Sequence, residues 1–199
     1  MYKRQKKDTK WTIQKIGNVD IFNIKKEISN FDLEWNLDTS RQNIGMTHRK
    51  TQMFRLFATE YTWVPGTNLI TEYFNDLKNK ESKKELENIY KFLELYYSGK
   101  VIRCEIIKLF ANSEILKHTD GGALLHYSRR VHIPIFTEKN ITFTVLDNTI
   151  HMEEGSMYEI NNQLPHSVKN PTEKDRVHII IDIMPYDMIN YKIRKENND

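Results

Sequence analysis

A chain of 199 residues suits one domain that buries roughly 70% of the surface its unfolded form would expose, and 39% apolar with 11% aromatic residues excludes a disordered polymer. Formal net charge is only +3, with part of the excess in the opening "MYKRQKKDTK", so the body is near neutral and a nucleic-acid partner is not expected. One cysteine, Cys104, excludes an internal disulfide framework; with no apolar run approaching the roughly 18–20 residues of a bilayer span and no apolar signal core at the N-terminus, a cytoplasmic protein without a membrane partner is expected.

No repeat, low-complexity tract or Pro/Gly-rich linker divides the chain, so 1–199 reads as a single domain. The basic tip reads as a solvated, frayed end. Residues 1–67 are irregular, with short apolar groups such as "VDIFNI" and "TQMFRLF". From Asn68 to Gly99 the pattern is helical: Leu69, Ile70, Tyr73, Phe74 and Leu77 recur at helix spacing. "SKKE", Ser82 to Glu85, then reads as a capping box ahead of Leu86, Ile89, Tyr90, Leu93 and Tyr97, with Gly99 as the stop.

After Lys100 the period changes. "VIRCEIIKLF", "RRVHIPIF", "ITFTVLD", "SMYEI", "HSVKN" and "RVHIIIDIM" are β-branched or aromatic and are separated by turn compositions such as "DGG", "EEGS" and "NPTEKD". Many short strands with helices ahead of them predict an antiparallel sandwich or open barrel supported by helices outside. Cys104, inside the first of these strands, reads as a small core residue.

Six of the seven histidines lie in the second half. In "LKHTDGG", His118 and Asp120 are two apart, so an extended segment projects both to one face, and the glycines let the chain turn away without crowding them. The pair is compatible with a plain turn or with two arms of a metal site. His166, in "NNQLPHSVKN", supplies a third element: two imidazoles and one carboxylate can hold a non-haem Fe(II) with adjacent positions open, and zinc accepts the same ligands. In "RVHIIIDI", Arg176, His178, Ile180 and Asp182 share one strand face and Val177, Ile179, Ile181 and Ile183 the other. Arg176 then points where His166 points, with a fork suited to a carboxylate, although a strand-end surface residue fits the same spacing. "RRVHIPIFT" repeats the division, with Arg130 and His132 opposite Val131, Ile133 and Ile135. His126 and His151 read as surface residues. His178 reads either as a partner of the site or as a core residue. Arg41, His48 and Arg49 form a basic segment that either meets a substrate carboxylate or lies exposed.

"ILKHTDGG", "RRVHIPIFT", "NNQLPHSVKN" and "DRVHIIIDI", in this order, resemble the Fe(II)/2-oxoglutarate dioxygenases of the aspartyl/asparaginyl β-hydroxylase and proline-hydroxylase-like group. The resemblance covers roughly 100–185. It implies a mainly β chain with a double-stranded β-helix (jelly-roll, cupin-like) core over 100–185 and a mixed N-terminal region with supporting helices over 1–99. It also implies His118, Asp120 and His166 as the catalytic Fe(II) ligands, Arg176 as partner of the distal 2-oxoglutarate carboxylate, and Arg130 and His132 beside that cosubstrate. Dioxygen would be the oxidant, and the substrate an amino acid or an amino-acid residue in a peptide or protein. Aspartyl β-hydroxylase proper has no carboxylate at the middle ligand position, so Asp120 leans the comparison toward the proline-hydroxylase-like members. A cosubstrate-independent or non-catalytic cupin-like metal-binding barrel is the alternative.

Overall fold

A computed structural model of the chain describes residues 11–30, 35, 39–43 and 46–189. The basic tip, residues 1–10, lies outside the described residues. The fold is mostly β, in two antiparallel sheets that sandwich a cavity in the manner of a jelly roll.

The larger sheet has seven strands. At its centre β11 (Arg176–Pro185) pairs on one side with β4 (Gly99–Leu109) and on the other with β6 (Arg129–Phe136). Outward from β6 come β9 (Ser156–Ile160) and β1 (Ile13–Asn18); outward from β4 come β2 (Thr51–Thr59) and the short β3 (Thr71–Tyr73). The smaller sheet runs β5 (Ser113–His118), β10 (His166–Asn170), β7 (Thr142–Val145), β8 (Asn148–Ile150).

The two-residue period of the central strands builds both faces of the large sheet at once. Val177, Ile179, Ile181 and Ile183 on β11, with Val131, Ile133 and Ile135 on β6, face outward into the main core. There they meet Ile24 and Ile28 of α1 (Phe22–Ile28) and Leu86, Ile89 and Leu93 of α3 (Lys80–Tyr97). Each such fully buried side chain contributes about 1.5–3 kcal/mol. The opposite face, with Arg176, His178, Asp182, Arg130 and His132, is buried but polar. It lines the space between the sheets, and Ile115, Phe143 and Val168 of a second apolar cluster line the same space.

Four sequence expectations are corrected here. The helix spacing from Leu69 to Leu77 does not form a helix: Thr71–Tyr73 pairs as β3 with Phe57, Ala58 and Thr59, leaving Ile70, Tyr73 and Phe74 exposed. An open strand edge on β2 supplies backbone partners that outweigh local propensity. The one long helix among the described residues is capped by Asn79 rather than Ser82, because the Asn79 side chain accepts from the backbone N–H groups of Glu81 and Ser82. It ends at Ser98 in the left-handed conformation, φ 46°, and Gly99 opens β4 instead of stopping the helix. Residues 1–67, read as irregular, contribute β1, α1, the four-residue α2 (Ser40–Asn43) and β2.

Candidate active site

His118 ends β5 and His166 begins β10, and the two are direct cross-strand partners in the antiparallel ladder. Their rings stand with centroids 4.3 Å apart, and the His166 ring also stacks on Phe143, 6.1 Å away and nearly parallel. After His118 the chain leaves the sheet. The Asp120 amide donates to the carbonyl of Asn162 at 3.1 Å, and Gly122, at φ 88°, turns the backbone into the short α4 (Ala123–Tyr127). Asp120 is thereby folded back between the histidines, its Oδ1 4.0 Å from His118 Nε2 and its Oδ2 4.0 Å from His166 Nε2. One ligand atom from each of the three lies within 4.8 Å of the others.

The imidazoles are prepared alike. Nδ1–H of His118 donates to the Leu116 carbonyl at 2.7 Å, and Nδ1–H of His166 donates to the Leu164 carbonyl at 2.9 Å. A carbonyl can only accept, so each ring carries its proton on Nδ1 and turns the lone pair of Nε2 toward Asp120. Burial, and then the charge of Asp182, raise the Asp120 carboxyl above the usual carboxylate range. Two imidazoles whose Nε2 atoms face a carboxylate that gains from a neighbouring positive charge fit a divalent cation.

The cavity beyond this trio has a volume of about 360 Å³ and is lined from both sheets. Arg176 reaches it from the start of β11 and is buried. Burial, and then the like charge of Arg41, lower its guanidinium to about 9, so it is still a cation at neutral pH. Its Nη2 donates to His178 Nδ1 at 2.8 Å. A guanidinium offers no acceptor, so the His178 proton sits on Nε2, which has no partner among the described residues. Burial, followed by the charge of Arg176, holds both His178 and His132 well below the ordinary histidine range, and both stay neutral. His132 Nδ1 also lacks a partner among the described residues. No carboxylate of the described residues pairs with Arg176 within 4 Å, although it lies in the interior. A buried cation without a counter-ion fits an anionic ligand.

Arg130 also lines the cavity. Its guanidinium is taken up by Asp182, through Nε at 2.9 Å and Nη2 at 3.1 Å, and by Asp120 through Nη1. Arg103 and Tyr61, which sequence reasoning did not single out, are joined to the same group: Arg103 Nε donates to Asp182 at 2.5 Å and its Nη1 donates to the Tyr61 hydroxyl. The alternation Arg103, Glu105, Ile107 on β4 could have placed Arg103 inside; its pairing with Asp182, far away in the chain, had no local signal. Arg41, on α2, lines the cavity with Nε buried and unpartnered among the described residues, and its Nη2 stands 3.3 Å from His48 Nδ1. His48 packs edge-on against His118, centroids 4.9 Å apart, and burial followed by the charge of Arg41 lowers it to about 3. Arg49 is exposed and outside the cavity lining. His126 lies exposed on α4 with Nδ1 at the Gln163 side chain, and His151 contacts the Ile141 carbonyl; neither lines the cavity. Cys104 is fully buried and, with burial pushing its thiol up to about 12, is no nucleophile.

Fold and site together define a jelly-roll protein with a candidate mononuclear metal centre in the wall of the cavity between its sheets. The chain belongs to the aspartyl/asparaginyl β-hydroxylase family, whose model matches residues 23–185. It is 26% identical over 100 residues to L-proline cis-4-hydroxylase of Rhizobium meliloti (strain 1021), a match covering 50% of this chain and 36% of that enzyme's length. A prolyl-4-hydroxylase from Pseudomonas putida superposes with a TM-score of 0.59 at 10% identity, covering 88% of this chain and 94% of the other. The viral collagen prolyl hydroxylase of Paramecium Bursaria Chlorella virus-1, solved with 2OG, gives 0.56 at 7% identity, covering 88% and 97%. At such identities these structures establish the shared fold.

Proposed function

We propose that the protein is an Fe(II)- and 2-oxoglutarate-dependent hydroxylase acting on an amino acid, free or as a residue of a peptide or protein. The observation that carries this reading is the convergence of His118, Asp120 and His166 on a cavity also lined by a buried arginine, Arg176, with no carboxylate paired to it among the described residues. His118 and His166 hold the ion through Nε2 and Asp120 through its carboxylate. When bound with 2-oxoglutarate, ferrous iron supplies dioxygen activation, in which the cosubstrate is oxidatively decarboxylated to succinate and carbon dioxide and the second oxygen atom becomes a hydroxyl on an unactivated carbon.

The protein's own residues do the placing. Arg176 receives the distal carboxylate of the cosubstrate in two-point contact, and His178, by accepting from Nη2, keeps the guanidinium plane from turning away. His132, with Nδ1 unpartnered, lies beside that cosubstrate. Ile107, Ile115, Phe143, Val168 and Ile180 line the cavity with apolar surface and exclude water from the reacting groups. Arg41 is a second cation in the cavity wall, with no carboxylate paired to it among the described residues, and it receives the carboxylate of the substrate, braced by His48. A cavity of about 360 Å³ is at the lower end of the roughly 300–1,000 Å³ of small-molecule sites, which favours a small amino acid or a single exposed residue as the group entering it. A cytoplasmic setting belongs to the same proposal. Among the described residues no helix is long and apolar enough to cross a membrane.

The test is succinate release by the purified protein with Fe(II) and 2-oxoglutarate across a panel of amino acids and short peptides, with His118→Ala as the blank. Release that needs iron and rises with one substrate class supports the reading. Turnover that persists without 2-oxoglutarate, or release unchanged in the blank, contradicts it.

A further inference from the structure

Asp182 lies at the middle of the large sheet with no exposure, and its cross-strand partners on both sides are arginines, Arg103 on β4 and Arg130 on β6. Each arginine grips it through Nε and Nη2. A guanidinium is a rigid plane, so fixing Nε and Nη2 dictates where Nη1 points. For Arg130 that is Oδ2 of Asp120; for Arg103 it is the Tyr61 hydroxyl at the cavity wall. The two arginines and two aspartates balance in charge, and their hydrogen bonds connect the centre of the sheet to the candidate metal centre.

Resting on the metal reading above, we propose that Asp182 is a positioning residue for Asp120. Through Arg130 it commits one oxygen of the Asp120 carboxylate to a hydrogen bond and so limits the carboxylate to binding the ion through the other. A carboxylate released from this hold can swing to bind through both oxygens, and the second would occupy a position that cosubstrate or dioxygen needs. A purely structural ion pair is a weaker account of the same contacts. Buried charges give little net stability over apolar packing, and the opposite face of this strand shows that aliphatic side chains serve the sheet well.

Cobalt(II) is the probe, because its visible d–d absorption reports the number and arrangement of its ligands. Asp182→Asn keeps the size and removes the charge. It is expected to lower cobalt(II) affinity about 10- to 100-fold, the usual effect of losing a partner that orients a ligand, and to change the d–d band. Arg130→Lys, which keeps the charge and loses the fork, is expected to change the band in the same way, and it decides the matter if Asp182→Asn does not fold. Glu105→Gln breaks another ion pair on the same face, Arg55 Nε to Glu105 at 3.0 Å, while leaving the hydrogen bonds from Asp182 through Arg130 to Asp120 in place, and is expected to leave affinity and band at wild-type values. Wild-type affinity and band in Asp182→Asn and Arg130→Lys would overturn the proposal and leave the metal site standing. An equal change in Glu105→Gln would overturn it in favour of general loosening. Wild-type protein that binds no cobalt(II), or binds it equally well after His118→Ala, overturns the metal reading itself and this proposal with it.

Discussion

His118 and His166 face each other across a single rung of the β5–β10 ladder, and each uses the carbonyl two residues before it to hold its Nδ1 proton. Two imidazoles from distant parts of the chain are thus set by backbone pairing alone, with their tautomers chosen before any ion arrives. Only the third ligand candidate, Asp120, depends on a loop, and that loop is anchored by its own amide and by Arg130. The arrangement spends little conformational entropy on binding.

Arg176 should govern cosubstrate affinity. Arg176→Lys keeps a cation but loses the fork and the contact with His178, a loss of about 1.5–3 kcal/mol for a charged hydrogen-bonded group, or about 10- to 100-fold in KM for 2-oxoglutarate. Initial rates at varied 2-oxoglutarate measure it. An unchanged KM would remove Arg176 from this role.

Arg41 should act on the other ligand. Arg41→Gln is expected to raise the KM for the substrate by about 10-fold or more while leaving that for 2-oxoglutarate near its original value, because the two arginines serve different carboxylates. A rise in both, or only in that for 2-oxoglutarate, would place Arg41 on the cosubstrate instead.

His132 and His178 should make the fold acid-sensitive. Both are buried and held neutral well below the ordinary range, whereas in the unfolded chain each binds a proton near pH 6.5. Below that pH the unfolded state takes up protons that the folded state refuses, so the stability these groups confer is present above pH 6.5 and lost as pH falls. Each pH unit removes about 1.4 kcal/mol per histidine, close to about 3 kcal/mol for the pair. Urea midpoints at pH 7.5 and 5.5, and again in His132→Gln, measure it; the variant should show roughly half the loss.

Gly99 should resist even the smallest side chain. A Cβ there would sit 2.5 Å from the Met184 carbonyl oxygen on the neighbouring strand, a backbone atom that cannot step aside. Gly99→Ala is expected to cost about 1–3 kcal/mol, as overpacking does, readable as a lowered urea midpoint at unchanged slope.

The central sheet was the most legible part of the chain. "RVHIIIDI" and "RRVHIPIF" alternate so strictly that both faces could be assigned residue by residue, and the aliphatic face does pack on the helices. His118, Asp120, His166 and Arg176 were singled out by spacing together with family resemblance, and they line one cavity. What stayed hidden depended on partners remote in the chain. The strand at Thr71–Tyr73 exists because β2 offers an edge, and the grip of Arg103 and Arg130 on Asp182 exists because β4 and β6 flank β11. Neither leaves a mark on the local period. Arg130, expected beside the cosubstrate, lines the cavity, and its guanidinium also bonds Asp120 and Asp182, partners that no periodicity could have revealed.

The most direct measurement is anaerobic titration of the purified protein with Fe(II) in the presence of 2-oxoglutarate, following the visible charge-transfer absorption of ferrous iron chelated by a 2-oxo acid. The band should saturate at one iron per chain and disappear in His166→Ala. A wild-type protein that develops no such band, or a His166→Ala protein that develops it undiminished, would contradict the proposed centre.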